Sequence, residues 1–150
     1  MIRSLHPIAG VVGMATIATF WLSTVVTEAF GGPTTILALK TAILWGLLLL
    51  VPALAVTGAT GFRMGGRSTH PRIMAKRHRM PVIALNGLLV LVPCAVFLQA
   101  RAAAGDFGGT FALVQRIELL AGAVNLTLMG LSIRDGISLT RRFARARASI

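Results

Sequence analysis

The positively charged residues of this chain are segregated according to the hydrophobic stretches that they flank. The four stretches comprise residues 8–29, 36–58, 81–100 and 111–133. Of the 15 lysines and arginines, 12 lie before the first stretch, between the second and third, or after the fourth. Such a bias is typical of membrane proteins, whose basic loops remain on the cytoplasmic side. The pattern therefore predicts an all-α integral membrane fold of four transmembrane helices with both termini inside.

Length and composition leave little room for anything besides these helices. Hydrophobic residues make up 55% of the 150 residues, and charged residues only 13%. About 20 apolar residues cross a bilayer core of about 30 Å, so four spans use most of the chain. We therefore predict a single domain over residues 1–150, with a cytoplasmic loop at 59–80 and a basic cytoplasmic tail at 134–150. The first stretch is longer than the apolar part of a typical signal peptide, so we interpret it as a retained helix.

Two short connections predict that the helices are paired as antiparallel hairpins. The run from Phe30 to Pro33 is uncharged and contains two glycines, and the run from Ala104 to Gly109 contains three. Glycine and proline mark turns and interrupt helices. We therefore expect the first and second helices to form one hairpin, and the third and fourth to form the other.

The net charge of +11 restricts the partners that the chain can have. The basic residues form short runs beside the spans, where each is worth about 1 kcal/mol against anionic headgroups. This arrangement favours contact with membrane lipids at the cytoplasmic face, and we expect no nucleic-acid partner. The charge bias and the arginine-rich composition together predict a multi-pass protein of a bacterial inner (plasma) membrane.

Polar residues inside the spans are the best indicators of a functional site, because lone polar groups are costly in hydrocarbon. Counted along the helices, the polar residues of the outer half lie at overlapping depths: Glu28, Lys40, Gln99, Gln115, Arg116 and Glu118. Buried charges are tolerated when they are paired, so we predict a cluster of the four charged members between the first, second and fourth helices. The cluster has two interpretations. It is either a structural network between helices, or a polar pocket or proton path for a small ligand such as a quinone headgroup.

Two further pairs of residues carry expectations about packing. Asn86 and Asn125 lie at similar depth in the third and fourth helices, and we predict a hydrogen bond between them. Trp21 and Trp45 fall in span interiors and not at the interfaces where tryptophan usually collects. We expect both indoles to pack in the core.

The histidines raise the question of haem. Neutral imidazoles from two helices can clamp a haem iron axially, and His6 and His78 both lie at the predicted cytoplasmic boundary. In this interpretation they are the axial ligands of one haem b, while Arg77 and Arg79 contact its propionates. Neither histidine lies within a predicted span, which counts against the interpretation.

These observations favour a small non-catalytic accessory protein that packs in a larger membrane complex, with other subunits or further copies of itself as partners. The sequence has no catalytic motif and no spacing typical of a metal site, so we do not expect an enzyme. An alternative from another class is a membrane electron carrier with b-type haem that exchanges electrons with quinone. A third is a small ion or proton transporter that uses Glu118 and Lys40.

Overall fold

The computed structural model describes the backbone of residues 2–65 and 71–148 and the side chains of residues 8–60 and 78–138. The described backbone is helical apart from two short turns and contains no β-strand. The helices are α1 (Ile2–Phe30), α2 (Pro33–Gly65), α3 (Pro71–Asn86), α4 (Val92–Ala103) and α5 (Gly109–Ala148). A five-residue π-helical turn (Gly87–Leu91) joins α3 to α4, so these two helices form one continuous rod.

Four helical segments are long and apolar enough to cross a membrane. They are Ile8–Phe30, Pro33–Thr60, His78–Ala103 and Gly109–Ser138. The prediction of four apolar helices is therefore confirmed, and these helices indicate a multi-pass membrane protein. Beyond the apolar segments, α2 continues to Gly65 and α5 to Ala148, so parts of the predicted loop and tail are helical. Arginine and alanine, which are frequent there, have high helix propensity.

The turn between α4 and α5 shows how local sequence ends a helix. Gly105 adopts a positive φ of 69°, which glycine reaches without steric cost. The backbone N–H of Asp106 then bonds to the carbonyl of Arg101 at 2.9 Å, which closes the α4 terminus as a Schellman motif. The Asp106 carboxylate pairs with the Arg101 guanidinium and accepts a bond from the Gly108 N–H at 3.1 Å. One aspartate thus stabilises both the helix end and the turn.

The helices pack in a bundle with two diagonals. The helix α1 packs against α2 and α5, and the α3–α4 rod packs against the same two helices. Within the described part of the chain, α2 has no close backbone contact with α5, and α1 has none with the rod. The centre of the bundle is therefore reached only by side chains.

Aromatic rings of α1 fill gaps left by glycines. A Cβ atom at Gly46 of α2 would lie 2.1 Å from Cζ of Phe20, and one at Gly122 of α5 would lie 2.8 Å from Cδ1 of Trp21. The Trp21 indole also donates to the Leu119 carbonyl at 2.8 Å, so its predicted core packing is confirmed. The same prediction is wrong for Trp45, which is 71% exposed. Trp45 lies on the outer surface of α2, where an apolar ring can face lipid.

Two apolar clusters divide the interior. One contains Ile17, Leu50, Ile83 and Met129, and it lies toward the end of the bundle that carries the chain termini. The other contains Leu98, Ala102 and Phe111 and lies toward the opposite end. Each cluster draws residues from more than one helix. The polar residues described below lie between the clusters and beyond the first one.

Candidate functional site

The most buried charged group of the described chain is the Lys40 ammonium, which is held by a carboxylate from the opposite helix. Its Nζ lies 2.6 Å from Oε2 of Glu118, and the two side chains are 1% and 12% exposed. Gln115 donates to the same Oε2 from one turn away at 2.9 Å. Because α2 and α5 are diagonal, the Lys40 side chain extends through the middle of the bundle to reach its partner.

The interior face of α5 explains why the polar contacts converge on this helix. Its inward residues recur at intervals of three or four: Phe111, Gln115, Glu118, Gly122, Asn125, Met129 and Ser132. This spacing places them on one face of a helix. Between residues with described side chains, the interhelical hydrogen bonds all involve α5. This helix is therefore the hub of the polar network.

The other members of the predicted outer cluster are placed differently. Glu28 and Arg116 are exposed, and neither makes an ion pair or hydrogen bond with a residue whose side chain is described. Glu28 still interacts electrostatically with Lys40 and Glu118. Gln99 is half-buried and has no hydrogen-bond partner within the described part. The structure thus brings together Lys40, Glu118 and Gln115, and leaves the remaining three residues outside this contact.

A neutral polar contact lies nearer the middle of the bundle. The Asn86 amide donates both to Oδ1 of Asn125 and to the Ala121 carbonyl, each at 2.9 Å. Asn125 is completely buried, and its own amide points at the Ile83 carbonyl at 3.4 Å. The predicted bond between the two asparagines is therefore confirmed.

A second ion pair between helices lies at the end of the network nearer the chain termini. Nη1 of Arg79 lies 2.7 Å from Oδ2 of Asp135, and the two side chains are 25% and 12% exposed. Arg79, predicted as a propionate contact, is therefore engaged by a carboxylate of the same chain. Asp135 was not among the predicted site residues, although it is the only acidic residue of the basic tail. That isolation among arginines was the signal for its pairing.

The haem interpretation stays a prediction. His78 is exposed, whereas the side chains of His6 and Arg77 lie outside the described residues. Among the residues that the structure describes, no group of three or more His, Cys, Asp or Glu side chains could hold a metal ion. A visible spectrum of the oxidised and the reduced protein tests for haem directly.

A cavity of about 60 Å³ adjoins the buried ion pair. Its walls come from all four spans. Among the lining residues are Glu118, Thr24, Trp21, Ile17 and Ala95. Nearly all of the lining is apolar. Both hydrogen bonds to Glu118 end on Oε2, so Oε1 has no partner among the described residues, and Glu118 lines the cavity. The site can therefore offer a hydrogen-bond acceptor to a small molecule in the membrane interior.

Sequence reasoning missed one residue of this site. Thr24 is 3% exposed and lines the cavity. Thr24 follows Ile17 by seven residues, so both lie on the core face of α1. That spacing is visible in the sequence, but spacing alone does not show that Thr24 lines a cavity.

Comparison of the chain with protein-family models, with curated proteins and with solved structures gave no significant match. The function is therefore argued from the geometry alone.

Proposed function

We propose that this protein is a small non-catalytic subunit of a larger membrane complex and that the outer face of α5 contacts a neighbouring subunit. The proposal includes the arrangement argued from sequence: two antiparallel hairpins with both termini in the cytoplasm of a bacterium, and basic loops against anionic lipid headgroups. It is supported by the way charge is distributed between the inside and the outside of the bundle.

The observation that carries the proposal is Arg116. It lies about two helical turns inside the outer end of the α5 span, and its side chain is exposed and unpaired among the described residues. Leu113 and Leu120 are 58% and 70% exposed and share the face of α5 that carries Arg116. In a lone bundle this face would meet lipid chains, where an arginine costs about 2.5–3.5 kcal/mol near the bilayer centre.

A neighbouring helix that offers a carboxylate or a free carbonyl would remove most of this cost. The buried charges of the interior are already paired with each other, so they do not call for an external partner. Arg116 does, which is why the contact is assigned to the outer face of α5 and not to the core.

The test places a photo-crosslinking amino acid at Leu120, beside Arg116, and at Leu22 on the exposed surface of α1 as the matched control. We expect light to produce one defined larger band from the Leu120 position in native membranes. The Arg116→Leu change should weaken that band at least several-fold. A band at twice the mass of the chain would identify a second copy as the neighbour, and any other mass would identify a different subunit.

The proposal fails if the Leu120 probe captures only lipid and native electrophoresis shows a monomer. That result would mean that the Arg116 guanidinium reaches the headgroups by extending along the helix. Topology is tested separately with reporter fusions. Reporters at Gly32 and Gly105 should lie on the periplasmic side, and one after Ile150 in the cytoplasm. One inverted reporter would overturn the proposed orientation without affecting the subunit contact.

A further inference from the structure

We propose that the interior cavity is a binding site for a short chain of water molecules held between the carboxylate of Glu118 and the hydroxyl of Thr24. This site lies within the bundle, so it does not depend on the partner proposed for the outer face. Two residues on its wall carry a polar atom that has no hydrogen-bond partner among the described residues, and the cavity has room for water beside them.

The first atom is Oε1 of Glu118. The carboxylate receives the Lys40 ammonium and the Gln115 amide on Oε2 alone, although a carboxylate has about four acceptor positions. An ionised oxygen that faces an apolar cavity without a donor is strongly disfavoured. Glu118 lines the cavity, so a donor located there would satisfy the free oxygen.

The second atom is the hydroxyl oxygen of Thr24. Four hydroxyl side chains are buried in the described part of the chain: Thr24, Thr57, Thr60 and Ser132. The last three each donate to the carbonyl four residues earlier in their own helix. Thr24, in contrast, has no hydrogen bond to any residue whose side chain is described, and it lines the cavity. Its hydroxyl is therefore available to a group in the cavity.

The cavity has room for such a group. One water needs about 10–15 Å³ on this measure of volume and two or more polar partners, so about 60 Å³ holds about four molecules. An apolar cavity of this kind would stay dry. Here a residue with an acceptor and a residue with a hydroxyl lie on its wall. Intramembrane Asp, Glu and His side chains are the usual elements of proton relays.

The first experiment measures thermal unfolding of the purified protein in detergent for Thr24→Val, an exchange of nearly equal volume. Loss of the bound water should lower Tm by about 2–4 °C, which corresponds to one lost hydrogen bond in a chain of this size. The same change in a Lys40→Met/Glu118→Leu background should not lower Tm, because the acceptor is gone. Thr41→Val is the matched control, since its hydroxyl bonds only to its own helix at Leu37.

The second experiment requires no unfolding. Infrared spectra of the wild-type protein in ordinary and in ¹⁸O-labelled water should contain an O–H stretching band that shifts with the label. The band should persist in Thr41→Val and disappear in Thr24→Val. A wild-type protein without an ¹⁸O-sensitive band, or a Thr24→Val variant at least as stable as wild type, would show a cavity that is dry or filled by an apolar molecule. Either result would overturn the proposal.

Discussion

Two of the ion pairs in the described part of the chain join different helices, and they differ in how deeply the cation is buried. Lys40 and Glu118 meet across the diagonal of the bundle, where the lysine is almost completely buried. Arg79 and Asp135 meet between neighbouring helices near the end of the bundle that carries the chain termini, where a quarter of the arginine side chain is exposed. Both contacts are close to 2.6–2.7 Å, so distance alone does not separate them.

The surroundings of an ion determine how much its stability depends on a partner of opposite charge. In the interior, an ion that loses its partner cannot be solvated, and breaking such a pair costs about 3–5 kcal/mol. At the end of the bundle, the Asp135 carboxylate is as buried as that of Glu118, but a quarter of the Arg79 side chain is exposed. Water and headgroups can therefore solvate the arginine, and we expect this pair to contribute about 0.2–1 kcal/mol, close to the contribution of exposed pairs. The Asn86–Asn125 contact lies between the two ion pairs. It is buried like the first pair but carries no charge, so it shows the effect of burial alone.

The largest effect is expected for Glu118→Gln. The amide keeps the shape of the side chain but leaves the Lys40 ammonium buried without an anion. We expect a loss of about 3–5 kcal/mol, seen as a fall in Tm of roughly 6–20 °C in detergent. The double change Lys40→Met/Glu118→Leu, which removes both charges, should recover most of the stability. If the single variant were as stable as wild type, the pair would not be the structural contact that the comparison assumes.

An intermediate effect is expected for Asn125→Leu. The change removes the acceptor of Asn86 and the buried amide that points to Ile83, while Asn86 keeps its bond to the Ala121 carbonyl. Because no charge is left unpaired, we expect a loss of about 1 kcal/mol, again measured as Tm in detergent. A loss as large as that of Glu118→Gln would mean that burial, and not charge, dominates the comparison.

The smallest effect is expected for Asp135→Asn, the same acid-to-amide exchange as at Glu118. We expect a loss of about 0.5–1 kcal/mol, and the difference from wild type should shrink as salt is raised because ions can screen the partly exposed Arg79 guanidinium. The loss in Glu118→Gln should change little with salt. If the stability losses of Asp135→Asn and Glu118→Gln had the same salt dependence, the two ion pairs would not differ in their access to solvent.

The sequence predicted the four spans closely because a span is recognised by its hydropathy and its length, and neither depends on long-range contacts. The Lys40–Glu118 contact was also expected, since matched depth is readable from residue counts. Arg116 was grouped with this pair for the same reason. Depth gives no rotational position, but the helical period does: Arg116 and Glu118 are two residues apart and cannot share a face. The cavity and Thr24 could not be predicted in this way, because a void depends on how four helices fit together.

The π-helical turn at Gly87–Leu91 changes which residues of the α3–α4 rod face the interior. Pro93 lacks an N–H and crowds the carbonyl four residues before it. The π turn, which is wider than an α turn, ends two residues before this proline. A π turn holds one more residue than an α turn, which shifts the helical phase by about 100°. Inward positions run 79, 83 and 86 below the turn and 91, 95, 98 and 102 above it. The turn thus compensates for the difference in helical phase, so that the inward residues of α3 and of α4 lie on the same side of the rod.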